Sequence, residues 1–91
     1  MRRAAKVDSN QRAIKKALEA IGCSVYYIKE PVDLLVGCRR KGIRTTIALE
    51  VKNPEASPRL TSQQKEFFAS FHGEAYIVED VGQALKAVLG T

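Results

Sequence analysis

The spacing of apolar residues switches repeatedly between helix-like and strand-like along this 91-residue chain, and that succession most limits the fold. In DSNQRAIKKALEAIG, residues Ile14, Ala17, Leu18 and Ile21 recur at the i, i+3, i+4, i+7 spacing of one helical face. Asp8 is placed to cap this helix, Gln11 completes a capping box, and Gly22 can take the left-handed conformation that ends it. CSVYYIK, rich in aromatic and β-branched residues, predicts a strand. In VDLLVGCRR the run Leu34, Leu35 and Val36 is apolar on both faces, as in a covered central strand. A turn at RKGIR around Gly42 and a return over TTIALEVK predict a hairpin.

NPEASPR is a loop marked by Pro54 and Pro58. LTSQQKEFFASFHG predicts a second helix, with Thr61 as cap, Gln64 at the box position and Gly73 past the end. EAYIVE predicts a fourth strand. DVGQALKAVLG predicts a last helix capped by Asp80, with Val81, Leu85, Val88 and Leu89 facing inward. The order helix, three strands, helix, strand, helix specifies a single α/β domain in which helices cover a mixed sheet. No internal repeat or low-complexity segment interrupts it.

Fifteen Lys and Arg against ten Asp and Glu leave a formal charge of +5, which favours a polyanionic partner, nucleic acid before membrane. No apolar run approaches a membrane-spanning length, and the basic start MRRAAK leads into no apolar leader. Cys23 and Cys38 lack the spacing of a zinc site and are too few for a disulfide framework, so free buried thiols in a reducing cytoplasm are expected. A chain this short has a thin core, and a dimer is the expected supplement.

TTIALEVK holds the chemistry. Along a strand, Ile47, Leu49 and Val51 share one face while Ala48, Glu50 and Lys52 share the other. On an edge strand the two charges would be a solvated face. Three features point elsewhere. The sheet is expected to be covered on both faces, Ala48 leaves room beside Glu50, and Asp33 interrupts an apolar run where antiparallel pairing would bring it to Glu50. Two carboxylates converging in a partly dry site repel each other, and a divalent cation resolves the conflict. Mg²⁺ typically takes one or two protein carboxylates and keeps several waters. Lys52 adds positive charge on the same face.

PVDLLVG, then LEVK, then RLTSQQKEFF, together resemble the PD-(D/E)XK nuclease superfamily, and within it the VRR-NUC domain of virus-type replication and repair nucleases. The resemblance spans nearly the whole chain, from DSNQRAI through EDVGQALKAV, as one domain with residues 1–7 as a basic tail. It implies a restriction-endonuclease-like αβββαβ core with a C-terminal helix. It further implies that Asp33 and Glu50 bind Mg²⁺ or Mn²⁺ with the Val51 carbonyl, that Lys52 orients the attacking water, and that Gln64 lies near Lys52. From the residues alone, Gln64 is equally a capping-box partner of Thr61, and the two roles are compatible. Two departures stand out. Where the family carries an acid in the first helix, SNQRA offers only Asn10 and Gln11, which contribute no charge. One residue also separates Pro31 from Asp33, where the family pattern has none.

Minimal stand-alone members resemble homodimeric nucleases that cut branched DNA, including four-way junctions, so the likeness implies such a substrate and a bacterial cytoplasm with a phage or prophage setting. Backbone holding would fall to Arg2, Arg3 and Lys6 in the tail and to Arg39, Arg40, Lys41 and Arg44 around the hairpin turn. Lys15 and Lys16 read as solubilising charges, and His72 as a residue at a helix end rather than a catalyst. The rival readings are a non-catalytic nucleic-acid-binding module on a nuclease-like scaffold, and a protein-interaction domain.

Overall fold

The computed structural model describes residues 9–53 and 60–90. The elements run α1 (Ser9–Ala20), β1 (Ser24–Tyr27), β2 (Leu34–Arg40), β3 (Ile43–Val51), α2 (Ser62–Ser70), β4 (Glu74–Val78) and α3 (Val81–Leu89). This is the order the apolar spacing predicts. The cap at Asp8, the loop prolines Pro54 and Pro58, and the tail cations Arg2, Arg3 and Lys6 lie outside the described residues.

The four strands form one mixed sheet in the order β1-β2-β3-β4. β1 pairs antiparallel with β2, β2 antiparallel with β3, and β3 parallel with β4. The β2–β3 connection is tighter than RKGIR alone indicates. Arg40 pairs with Ile43, so only Lys41 and Gly42 form the turn, both with positive φ (55° and 81°). That is the signature of a type I′ turn, whose twist matches the flanking strands. β3 therefore begins at Ile43 rather than Thr45.

One face of the sheet carries the core. Val25, Leu34, Val36, Ile47, Leu49, Val51 and Val78 pack with Ile14 and Leu18 of α1 and with Ala84 and Val88 of α3. Each fully buried Leu, Ile or Val contributes about 1.5–3 kcal/mol. Two expected core positions are exposed. Leu89 is the last residue of α3 and Ile21 lies just past the end of α1.

The expectation that the sheet is covered on both faces holds only in part. α1 and α3 share one face, and α2 contributes nothing to the core cluster. On the opposite face Ala48 and Glu50 of β3 are buried, but Leu35 of β2 is 37% exposed and Tyr26 of β1 64%. That face is covered over β3 and open over β1 and β2. The Leu34-Leu35-Val36 run is apolar on both sides, yet only one side is fully buried.

Gly73 also serves differently from the expectation. α2 ends at Phe71 in an extended conformation, not at a left-handed glycine. A Cβ on Gly73 would meet the Phe71 ring at 2.6 Å, so the glycine makes room for an aromatic side chain. Cys23 and Cys38 are free thiols. One step beyond the Ser24–Gly37 pair, the ladder sets them opposite each other. Burial pushes the Cys23 thiol above its ordinary value, and Cys38 adds to the shift. Among the described residues no helix is long and apolar enough to cross a membrane.

Candidate active site

The β2–β3 register carries the central geometry. Leu34 pairs with Leu49, so the next position on each strand, Asp33 and Glu50, faces its counterpart on the same side of the sheet. The sequence predicts this meeting and the register produces it. Asp33 is fixed from both sides. Its carbonyl accepts the Ile28 N–H at 3.0 Å, which extends the β1–β2 ladder. Its carboxylate oxygen Oδ2 accepts the Val51 N–H at 2.8 Å. The bond to Val51 is made by the amide, whereas the resemblance assigns the carbonyl to a metal.

Burial drives the Asp33 carboxyl up to about 6, and the neighbouring Glu50 carboxylate adds to the rise. The Val51 amide and, less strongly, Lys52 pull in the other direction. Glu50 is the one buried charged residue among those described, at 4% exposure. Its Oε2 meets Lys52 Nζ at 3.0 Å. Its Oε1 is fully buried and takes no hydrogen bond from an amide, hydroxyl or cation, while the Asp33 carboxyl lies close enough to hydrogen-bond the Glu50 carboxylate when it carries a proton. A buried carboxylate oxygen without a donor loses its hydration with no return, a cost that a shared proton from Asp33 or a neighbouring positive charge would offset.

Two carboxylates converge, and an ammonium balances part of their charge. Carboxylate oxygens are the donor type a hard divalent cation takes, and among the described residues no group of three or more His, Cys, Asp or Glu side chains gathers there.

Gln64 does two things at once. Thr61 Oγ1 accepts its N–H at 3.1 Å and Gln64 Oε1 accepts the Thr61 N–H at 3.2 Å, which closes the capping box. Its Nε2 donates to the Pro31 carbonyl at 3.4 Å, two residues before Asp33. The glutamine therefore ties the start of α2 to the loop that delivers Asp33. Asn10 donates to the Glu79 carbonyl at 2.9 Å, fastening the start of α1 to the end of β4. That is a structural bond, with no contact to either acid. Gln11 follows it on α1 and is half-buried.

The basic residues of the hairpin divide by face. Adjacent strand residues point in opposite directions, so Arg39 and Arg40 cannot serve one surface. Arg40 turns toward α3. It forms a two-pronged pair with Glu74 at 2.7 and 3.0 Å and donates to the Val88 and Ala87 carbonyls at the end of that helix. This corrects its expected place among the backbone-holding cations, because its guanidinium is committed to Glu74 and the α3 carbonyls. Strand alternation alone would have flagged it. Arg39 and Arg44 pair across β2 and β3 on the face that carries the acids, and Lys41 stands exposed in the turn. Lys15 pairs with Glu19 at 2.6 Å and lies over the Tyr27 ring, in keeping with a surface role.

Comparison with protein-family models, with characterised proteins and with solved structures gave no match to this chain.

Proposed function

We propose that Asp33, Glu50 and Lys52 form the centre of a Mg²⁺- or Mn²⁺-dependent DNA endonuclease of the PD-(D/E)XK type, built on the restriction-endonuclease-like core of a VRR-NUC domain. The observation that carries this reading is the convergence of the buried Glu50 carboxylate and the desolvated Asp33 carboxyl on one face of the sheet, with Lys52 beside them. A purely structural core has no use for two converging acids, one of them held in place through a main-chain amide.

Asp33 and Glu50 would hold the cation, with the Val51 carbonyl as a further oxygen donor. When bound, a divalent ion there supplies positive charge to the scissile phosphate and makes water more acidic. Lys52 would place its ammonium against the oxyanion that develops on phosphorus, a fixed charge that needs no reorganisation during the reaction. Because Lys52 also balances Glu50, it is held before substrate arrives. Gln64 would keep the Pro31 loop, and with it Asp33, in register. The exposed cations Arg39, Lys41 and Arg44 would contact backbone phosphates without reading sequence. The preferred substrate under this reading is branched DNA such as a four-way junction, cut by a homodimer whose two centres act on paired strands.

Cleavage assays on junction and linear DNA with Mg²⁺ or Mn²⁺ test the proposal. Wild-type protein is expected to cut, and Lys52→Ala and Glu50→Gln are expected to lose at least 100-fold in rate while still binding DNA. Binding without cutting in either metal would instead identify a non-catalytic nucleic-acid-binding module.

A further inference from the structure

The face that bears the acids also carries a groove at its other end. Ser24, Gly37 and Thr46 lie in one row across β1, β2 and β3. The next row on that face is Arg39 opposite Arg44. Together with Gly22 these residues line a cavity of about 480 Å³, a volume that accommodates a nucleotide unit. Its floor is low because Gly37 has no side chain. A Cβ placed there would meet only the Ser24 Cβ, at 3.9 Å.

The walls are unusual. Like charges directly opposed across an antiparallel pair repel and destabilise the sheet. Neither Arg39 nor Arg44 has an ion-pair partner among the described residues, in contrast to Arg40 between them in sequence. Two opposed guanidiniums above a floor of hydroxyls and main chain are complementary to an anion that bridges them, and guanidinium forks suit phosphate oxygens best.

We infer that this groove over Gly37, walled by Arg39 and Arg44, is a second phosphate-binding site that anchors the nucleic-acid backbone away from the acid pair. Arg39 lies six residues from Asp33 along β2, and Arg44 six from Glu50 along β3. At about 3.4 Å per residue the two sites are roughly 20 Å apart. That separation corresponds to about six base pairs at roughly 3.4 Å each along a duplex. The groove thus sets how much nucleic acid must extend to one side of the acids. This inference rests on the nucleic-acid reading above, but it concerns binding and not cleavage.

The test is therefore run in EDTA, where cutting plays no part, with a labelled 16-base-pair DNA duplex and its affinity measured from about 50 to 200 mM salt. The expected result for Arg39→Ala/Arg44→Ala is at least a tenfold loss of affinity. The slope of log K against log salt should also fall by about two, as two phosphate contacts disappear. Gly37→Val fills the groove without changing charge and is expected to weaken binding comparably, with an unchanged amide NMR spectrum away from β1–β3. Lys86→Ala, on α3, serves as the control and should bind as wild type does. Wild-type affinity and slope in both groove variants would overturn the inference. So would a dependence on Arg39 and Arg44 for binding phosphatidylserine vesicles but not DNA. Failure of the nuclease reading would look different, with intact groove-dependent binding but no cleavage in metal.

Discussion

The Val51 main-chain N–H donates to Asp33 Oδ2 at 2.8 Å, which locks the acid at the head of β2 to the residue directly after Glu50 on β3. A strand-edge carboxylate is thereby fixed by backbone rather than by another side chain, and its position follows the sheet. Asp33→Asn retains an oxygen that can accept the same bond and removes a desolvated charge. Its stability in urea unfolding is expected to equal or exceed that of wild type. Asp33→Ala strands a buried amide and should cost about 1–3 kcal/mol. Equal stability of the two variants would show that the bond is not formed in solution.

The raised Asp33 value has a definite sign. Its ordinary value is 3.8 and in the fold it is about 6. Between those values the folded chain keeps a proton that the unfolded chain has lost, so Asp33 makes stability fall as pH rises across that window and stay level above it. In metal-free protein, the Asp33 carboxyl carbon followed by NMR is expected to titrate near 6, and adding Mg²⁺ should move the midpoint down. Asp33→Asn should flatten the stability profile between pH 4 and 6. A midpoint at or below 4 would contradict the desolvated site.

Gln64 separates into its two bonds. Gln64→Ala removes both, opening the capping box and freeing the Pro31 loop, at about 1 kcal/mol for the cap. Gln64→Glu keeps an acceptor for the Thr61 N–H but loses the donor to the Pro31 carbonyl. It is expected to retain most of the stability of α2 while lowering the rate of cleavage. Wild-type rates in Gln64→Glu with a normal melting temperature would confine Gln64 to capping.

Arg40 and Arg39, neighbours in sequence, should behave oppositely. Arg40→Ala breaks the pair with Glu74 and uncaps the α3 carbonyls, so thermal melting should show a clear drop in Tm. Arg39→Ala should leave Tm unchanged or raise it slightly, by relieving the repulsion from Arg44, while weakening DNA binding. The reverse pattern would mean that the two side chains do not take the faces described.

Much of this was legible in the sequence because period fixes both element type and face. The 2-residue alternation of TTIALEVK put Glu50 and Lys52 together, and hairpin pairing put Asp33 beside Glu50. The capping signals at Thr61 and Asp80 are local, and both side chains cap their helices as the sequence predicts. What escaped was tertiary. Leu35 has the same apolar character as Leu34 and Val36, and only the placement of α1 and α3 on one face decides which of them is covered. Arg40 and Arg39 are neighbours along the chain, yet strand alternation sends their side chains to opposite faces. The row of Ser24, Gly37 and Thr46 consists of small residues on three different strands, and only the register brings them side by side.

The most direct measurement is a Mn²⁺ titration of isotope-labelled protein, with paramagnetic broadening read residue by residue. The account predicts that substoichiometric Mn²⁺ first broadens signals of Asp33, Glu50, Val51 and Lys52, and that Glu50→Gln abolishes the effect. Broadening that spares these residues, or that persists unchanged in Glu50→Gln, would contradict it.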